Sequence, residues 1–361
     1  MATLTETAYY TRRAINWGIV LLLAILIAKV ILNIVTTTWR KIHPPPPPPP
    51  TVAFGKLPPI KFPPPAGGAS PSAKLNFTLE TIEGKPPVAS PTATVFFMPK
   101  PAPNLLSLTR ARQFANRLGF KGEPQAESQT IYRWQDEQEP LRTVRIDIVD
   151  GNFQINYDYV AGLSVFAEKN LPTGEQAIAE AKNFLQNLGL YTPALAKGEV
   201  KISYWQLIGN NLIQTTSLAN ADAVRADLAR EEILGLKLFP PNPSQELVHF
   251  IFSGSRQPTK RILKASYKFW EIETEQRATY PLKTSAQAWE ELKNGGGFIA
   301  RLQSPGGEAT GGQAKIIIRK IYLAYFYPEE HQNFLQPIFV FEGDPSFMAF
   351  IPAVSPAWVG Q

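Results

Sequence analysis

Hydrophobic and polar positions fall into three regimes along this chain: one long apolar run, a proline-rich stretch, and alternating helical and strand periods. The run Ala14–Thr38 is almost wholly apolar, with Trp17 and Trp39 near its ends and Arg12, Arg13, Arg40 and Lys41 just beyond. A bilayer-spanning helix needs about 20 apolar residues and carries aromatic and basic residues at its borders. The pattern predicts one transmembrane helix over 14–38. It exceeds the ~7–15 residues of a signal-peptide core, and no small-x-small cleavage site follows, so a retained signal anchor is expected. The flanking charges tie. Orientation then rests on tail length: an N-terminal tail as short as 1–13 is expected to stay in the cytoplasm, with the large downstream region exported. Lys29 interrupts the run, and Asn33 follows one turn later on the same face. The pair is a candidate contact for a partner helix; the alternative is that Lys29 snorkels to the interface.

Pro44–Pro50, Pro58-Pro59 and Pro63–Pro65 then predict a stiff polyproline II stalk, made flexible again by Gly67–Ser70. Residues 39–72 read as linker, and folding is expected to begin near Ala73. A proline-motif ligand role for this stretch requires a cytosolic reader and the reverse topology.

Beyond the stalk a helix start recurs. Ser107-Leu108-Thr109-Arg110-Ala111, Thr173-Gly174-Glu175-Gln176-Ala177 and Thr284-Ser285-Ala286-Gln287-Ala288 share the form hydroxyl-x-x-polar-Ala. The last two are capping boxes; the first, with Arg110, is a weaker one. Gly119 and Gly189 sit where left-handed C-caps are wanted, with Phe120 and Leu190 folding back, and the third helix is expected to stop at Asn294-Gly295.

After each helix the period changes to two. Val144, Ile146 and Ile148 alternate with polar residues, and Asp150-Gly151 predicts a hairpin into Phe153, Ile155 and Tyr157. Further strands are expected at 200–208, 212–217, 247–252, 261–272, 315–327, 336–341 and 347–354, with short ones at 75–82 and 93–98. Asp222–Arg230 reads either as an edge strand or as a helix. The expectation is an α+β fold of three units, 73–168, 169–280 and 281–361, each a helix covering an antiparallel meander. Whether they share one sheet stays open.

The chain has 361 residues, 44% hydrophobic and 18% charged, enough for a core. It lacks cysteine, which excludes disulfides, thiolate metal sites and cysteine nucleophiles and fits an exported bacterial domain. Its net charge of +6 suits an anionic lipid or wall polymer, but the cations are scattered, so no nucleic-acid partner is expected.

Thr173–Leu190, the run Tyr280–Thr284 leading into Ala288–Leu292, the strand Tyr322–Tyr327 and Leu335–Phe341 together resemble PepSY-type domains. On a signal anchor, the tandem is similar to the YycH/YycI group of membrane-anchored regulators of a sensor kinase. The polyproline stalk and the segment 220–258 depart from that pattern. The resemblance implies an α+β fold and an interaction or regulatory role, with no catalytic residues to carry over.

The candidate chemistry is sparse. His43 sits at the membrane exit, His249 in an apolar strand, and Glu329-Glu330-His331 follows Pro328 and reads as a solvated turn, with no second histidine placed to complete a metal site. No G-x-S-x-G, S-x-x-K, H-E-x-x-H or P-loop occurs, and Gly295–Gly297, Gly306-Gly307 and Gly311-Gly312 read as a long hairpin loop. Trp205, Trp270, Tyr325 and Tyr327 lie on expected strands and are candidate ligand-facing aromatics, although strand aromatics are ordinarily core. These features point to a single-pass, non-catalytic binding protein of the bacterial envelope, with no metal or cofactor expected. Its partners would be the lipid bilayer, another membrane or envelope protein, or cell-wall polymer. The alternatives are an envelope enzyme such as a wall-polymer hydrolase, or a wall-polymer-binding module.

Overall fold

The computed structural model describes residues 4–42, 49–64, 75–302, 315–344 and 346–360. It divides into two units, Met1–Pro49 and Pro50–Gln361. In the first, helix α1 (Leu4–Ile42) is continuous, and within it Thr11–Trp39 is long and apolar enough to serve as a membrane anchor or signal sequence. Lys29 and Asn33 lie one turn apart and exposed on its surface. His43, Pro44–Pro48, Pro65, Gly67–Ser70, Gly306-Gly307 and Gly311-Gly312 lie outside the described residues.

The second unit opens with β1 (Asn76–Leu79) and β2 (Thr92–Phe97), then α2 (Ser107–Arg117). Four strands follow: β3 (Gln125–Ala126), β4 (Ile131–Gln135), β5 (Arg142–Asp147) and β6 (Phe153–Tyr157). Next come α3 (Gly174–Leu188), the single turn α4 (Pro193–Ala196), β7 (Val200–Ile208), β8 (Asn211–Thr215), β9 (Ala223–Leu228) and β10 (Leu238–Phe239). The chain continues through β11 (Val248–Ser253), the turn α5 (Pro258–Arg261), β12 (Ile262–Tyr267), β13 (Glu273–Pro281) and α6 (Ser285–Lys293). It ends with β14 (Phe298–Arg301), β15 (Lys315–Phe326), β16 (Phe334–Leu335), β17 (Pro337–Asp344) and β18 (Phe347–Pro352).

Strands β3 to β9, β11 and β12 form one nine-stranded antiparallel sheet in the order β3-β4-β5-β6-β12-β11-β9-β7-β8. The two meanders expected as separate units therefore merge where their last strands, β6 and β12, pair. Both helices cover the same face. Ala111, Ala115 and Leu118 of α2 and its end share a core with Ala177, Ala181 and Leu185 of α3, over Val144, Ile155, Ala226 and Phe250. Small residues on the helices let them sit close to a sheet that presents the large ones.

A second sheet, β1-β15-β17-β18-β14, packs against α6 through Ala288, Trp289 and Leu292, and β13-β2-β16 forms a third. Here the expected boundaries need correction. β1 and β2, assigned to the unit 73–168, pair with β15 and with β13 and β16, more than 150 residues away. The unit 281–361 thus borrows strands from the start of the fold. β10 does the same from 169–280, pairing parallel with the end of β15.

The linker 39–72 is also corrected. Residues 51–62 run along the second unit: Leu57 is buried and bridged to Val359, Val52 donates to the Thr279 carbonyl, and the Phe62 ring stacks on Phe298 at 5.1 Å. Prolines leave fewer amides to satisfy. The apolar residues between them, Val52, Phe54, Leu57, Ile60 and Phe62, anchor this strap.

Local helix signals hold at two of the three starts. Thr173 and Thr284 each form a reciprocal capping box, with Gln176 and Gln287. Gly119 and Gly189 take positive φ, and the Phe120 and Leu190 amides reach back to Ala115 and Leu185 as a Schellman closure requires. The first start differs. The cap of α2 is Leu106 without a side-chain bond, and Ser107 lies inside the helix, its hydroxyl taken by the Asn104 amide. Thr284→Ala is expected to cost about 1 kcal/mol, read as a lowered urea midpoint, whereas Ser107→Ala leaves the α2 cap unchanged.

Candidate functional site

The sheet face away from the helices carries the polar half of each strand's alternation. Register aligns one row across six strands: Arg145, Gln154, Ser266, His249, Asp227 and Lys201. The neighbouring row runs Thr143, Asn156, Lys264, Ile251, Arg225 and Ser203. β9, read as an edge strand or helix, is an interior strand between β11 and β7 with every residue buried. Its Arg225 and Asp227 pair in bidentate fashion at 2.7 and 2.8 Å.

Asp227 also accepts from the Glu246 amide at 2.8 Å, which ties the segment 240–246 down over the row. Beneath it His249 Nδ1 donates to the Glu246 carbonyl at 2.7 Å, so Nε2 carries the lone pair, and that atom has no partner among the described residues. Burial, reinforced by the Arg225 charge, pushes His249 down to about 3. Burial likewise raises Glu246 to about 7. A small cavity of about 90 Å³ adjoins both, lined also by Lys264, Ser266 and Lys268.

At the β5–β6–β12 end the row opens into a larger cleft of about 410 Å³. Its floor is Ile131, Arg145, Phe153 and Gln154, and its far wall is the turn Glu329-Glu330-His331 with Trp270. The end of β5 supplies Asp147, the hairpin turn after it Asp150 and Asn152, and Lys100 lies at the rim. Asp147 is held by Thr130 Oγ1 at 3.0 Å and the Val149 amide at 2.9 Å, and Asp150 accepts from the Asn152 amide at 2.8 Å. Burial raises Asp150 above the usual carboxylate range, and the Asp147 charge adds to it while the Asn152 amide and Lys100 oppose. Asn152 is only 7% exposed; its Oδ1 takes the Phe269 amide at 2.9 Å, and its Nδ2 makes no hydrogen bond of full geometry, only a weak one toward the Asp150 carboxylate. The same turn backs a hollow of about 270 Å³ on the helix side, which carries Arg110.

The candidate aromatics divide. Tyr325 and Tyr327 are buried, Tyr325 donating to the Thr94 carbonyl at 2.9 Å and Tyr327 to the Trp270 carbonyl at 3.4 Å, so neither faces a ligand. Trp270 is also core: its Nε1 donates to the Pro328 carbonyl at 2.7 Å, and only its edge reaches the cleft. Trp205 is half-buried beside Arg225, its Nε1 on Ser203 Oγ at 2.8 Å. Each buried ring satisfies its polar atom on backbone, which is what a core aromatic requires.

Glu329-Glu330-His331 proves to be a wall. His331 turns Nε2 to the Met98 carbonyl at 3.0 Å and packs edge-on against Trp270, and Lys268 pairs with Glu329 at 2.7 Å. Among the described residues no group of three His, Asp or Glu side chains has the geometry to hold a metal.

No protein-family model matches the chain, and no curated protein does. Among the solved structures similar to it in part are two of bacterial origin. One is an uncharacterized protein from Eubacterium rectale, 12% identical over 72% of this chain and 82% of that one, with a TM-score of 0.37. The other is the Bacillus megaterium YpeB C-terminal domain, 12% identical over 71% and 95%, with a TM-score of 0.29. At those scores neither likeness carries an argument about this chain.

Proposed function

We propose that the chain is a single-pass, membrane-tethered binding protein of the cell envelope. In this reading it has no catalysis of its own, its N-terminal tail is cytoplasmic, and its folded unit lies outside. The cleft beneath Glu329–His331 takes a segment of another envelope protein. The observation that carries the tether is α1: every residue from Thr11 to Trp39 is exposed. Leu21, Leu22, Ile25, Ile27, Leu32 and Ile34 each keep more than half of their surface uncovered. A soluble protein's core helix buries its apolar stripe, whereas a helix apolar all round is suited to lipid.

The binding role is supported by a roomy cleft whose lining mixes apolar rings with polar groups that converge on it. Kinship with PepSY and YycH/YycI regulators belongs to this proposal, and its support is the two capping-box helices over antiparallel sheet.

The test is cell fractionation of the full chain with a C-terminal tag. The tagged chain is expected in the membrane pellet after carbonate washing, at full length, and open to protease in spheroplasts. A chain lacking 4–42 is expected in the supernatant. Recovery of the intact chain in the supernatant, or a protected tag, overturns the proposal. A photoreactive residue at position 330 is expected to cross-link a specific envelope protein.

A further inference from the structure

The cleft's charges do not balance. Arg145 is committed to Glu127 at 2.5 Å and Lys268 to Glu329 at 2.7 Å. Among the described residues that leaves three lining carboxylates, Asp147, Asp150 and Glu330, and one lining ammonium, that of Lys100. This acidic surplus stands out on a chain whose net charge is +6. Asp150 is drawn out of water and faces the like charge of Asp147 three residues earlier, a repulsion that a bound cation relieves. Beside them, Asn152 lines the cleft with a side-chain amide that is 93% buried (7% exposed); its Nδ2 makes no hydrogen bond of full geometry, only a weak one toward Asp150, and the unmet donor capacity costs free energy until an acceptor arrives.

A cation acceptor for the carboxylates and a carbonyl oxygen for the amide are both supplied by one ligand class, a peptide bearing lysine or arginine. Ile131 and the Trp270 edge offer apolar surface to a neighbouring side chain or to the stem of the basic residue itself.

Building on the binding role proposed above, we infer that the cleft recognises an extended basic peptide segment. Its ammonium or guanidinium sits against Asp147 and Asp150, and its backbone carbonyl accepts from Asn152 Nδ2. Glu330 supplies further attraction at the rim, and Lys100 opposes it.

The test uses the full chain in a nonionic detergent and a fluorescein-labelled heptapeptide, Ala-Leu-Lys-Ala-Lys-Leu-Ala, followed by anisotropy. Versions with both lysines replaced by norleucine or by glutamate are the controls. The lysine peptide is expected to bind at least about tenfold more tightly than either control. Asp150→Asn keeps the oxygen that accepts the Asn152 amide, so the turn is retained, and it is expected to weaken the lysine peptide about tenfold. Lys100→Ala, at an exposed position, is expected to tighten it a few-fold. Circular dichroism confirms that both variants are folded.

Equal affinity for the lysine and glutamate peptides, or an Asp150→Asn variant that binds as the parent does, overturns the inference. Its failure is distinct from failure of the binding role. A cross-linked envelope partner recovered equally from parent and Asp150→Asn chains refutes the basic-peptide inference alone. Charge-dependent peptide binding with no partner ever recovered refutes the envelope role alone.

Discussion

Asp227→Ala is expected to destabilise the folded unit by about 3–5 kcal/mol, because it leaves the Arg225 charge buried without a counter-ion. The side chains of Arg225 and Asp227 are 4% and 7% exposed, and β9 has neighbours on both sides, so water cannot reach the guanidinium. The same substitution removes the acceptor for the Glu246 amide, which fastens 240–246 over the row. Pulse proteolysis of the detergent-solubilised chain across a urea series measures the loss. The double variant Arg225→Met, Asp227→Leu removes both charges and is expected to recover most of it, short of about 1 kcal/mol for the orphaned amide. A single-variant loss below about 1 kcal/mol would show that the pair behaves as a solvated surface bridge. A double variant no more stable than the single would locate the loss in packing.

That pair also shows where reading the sequence reaches its limit. Val224, Ala226 and Leu228 announce a strand with one apolar face, and that much is local. Arg225 and Asp227 between them argue for an exposed edge. The central position comes from β11 and β7 pairing on either side, and from the two charges neutralising each other. Signals confined to a few consecutive residues are legible: the capping boxes at Thr173 and Thr284, the glycine caps and the Asp150-Gly151 turn. Pairing across the chain is not. Nothing in Asn76–Leu79 specifies a partner at Lys315–Ile318, and nothing in Val52–Phe62 distinguishes a strap from a stalk except apolar residues set among prolines.

The candidate site follows the same division. Glu329-Glu330-His331 is visible as a cluster, but its service as a wall depends on Lys268 and Trp270 arriving from the segment after β12. Asp150 and Asn152 were visible only as turn residues. Their chemistry arises from burial against Phe269 and from the like charge of Asp147, which belong to tertiary structure. Tyr325 and Tyr327 erred the other way, because alternation along a strand does not say which face is covered. In β15 both faces are.

Glu246→Gln is expected to make the fold acid-sensitive over a range in which the parent's Glu246–His249 contribution is level. Glu246 moves from 4.5 in the open chain to about 7 when folded, and His249 from 6.5 to about 3, each chiefly by burial. Stability rises with pH wherever the unfolded chain binds more protons than the folded one. Between pH 4.5 and 6.5 the unfolded chain holds its proton on His249 and the folded chain holds one on Glu246, so the two counts match and the pair contributes no slope. Glutamine at 246 removes the folded state's proton and leaves His249, whose depressed value means that stability is lost as pH falls below 6.5. The expected slope is about 1.4 kcal/mol per pH unit, close to ~3 kcal/mol by pH 4.5. His249→Asn leaves Glu246 alone and inverts the sign: stability is then lost as pH rises from 4.5 to about 7. Urea midpoints at half-unit pH steps, each variant read as its difference from the parent, report both slopes. Parallel profiles for the two variants would place the Glu246 and His249 side chains in water rather than in a covered site.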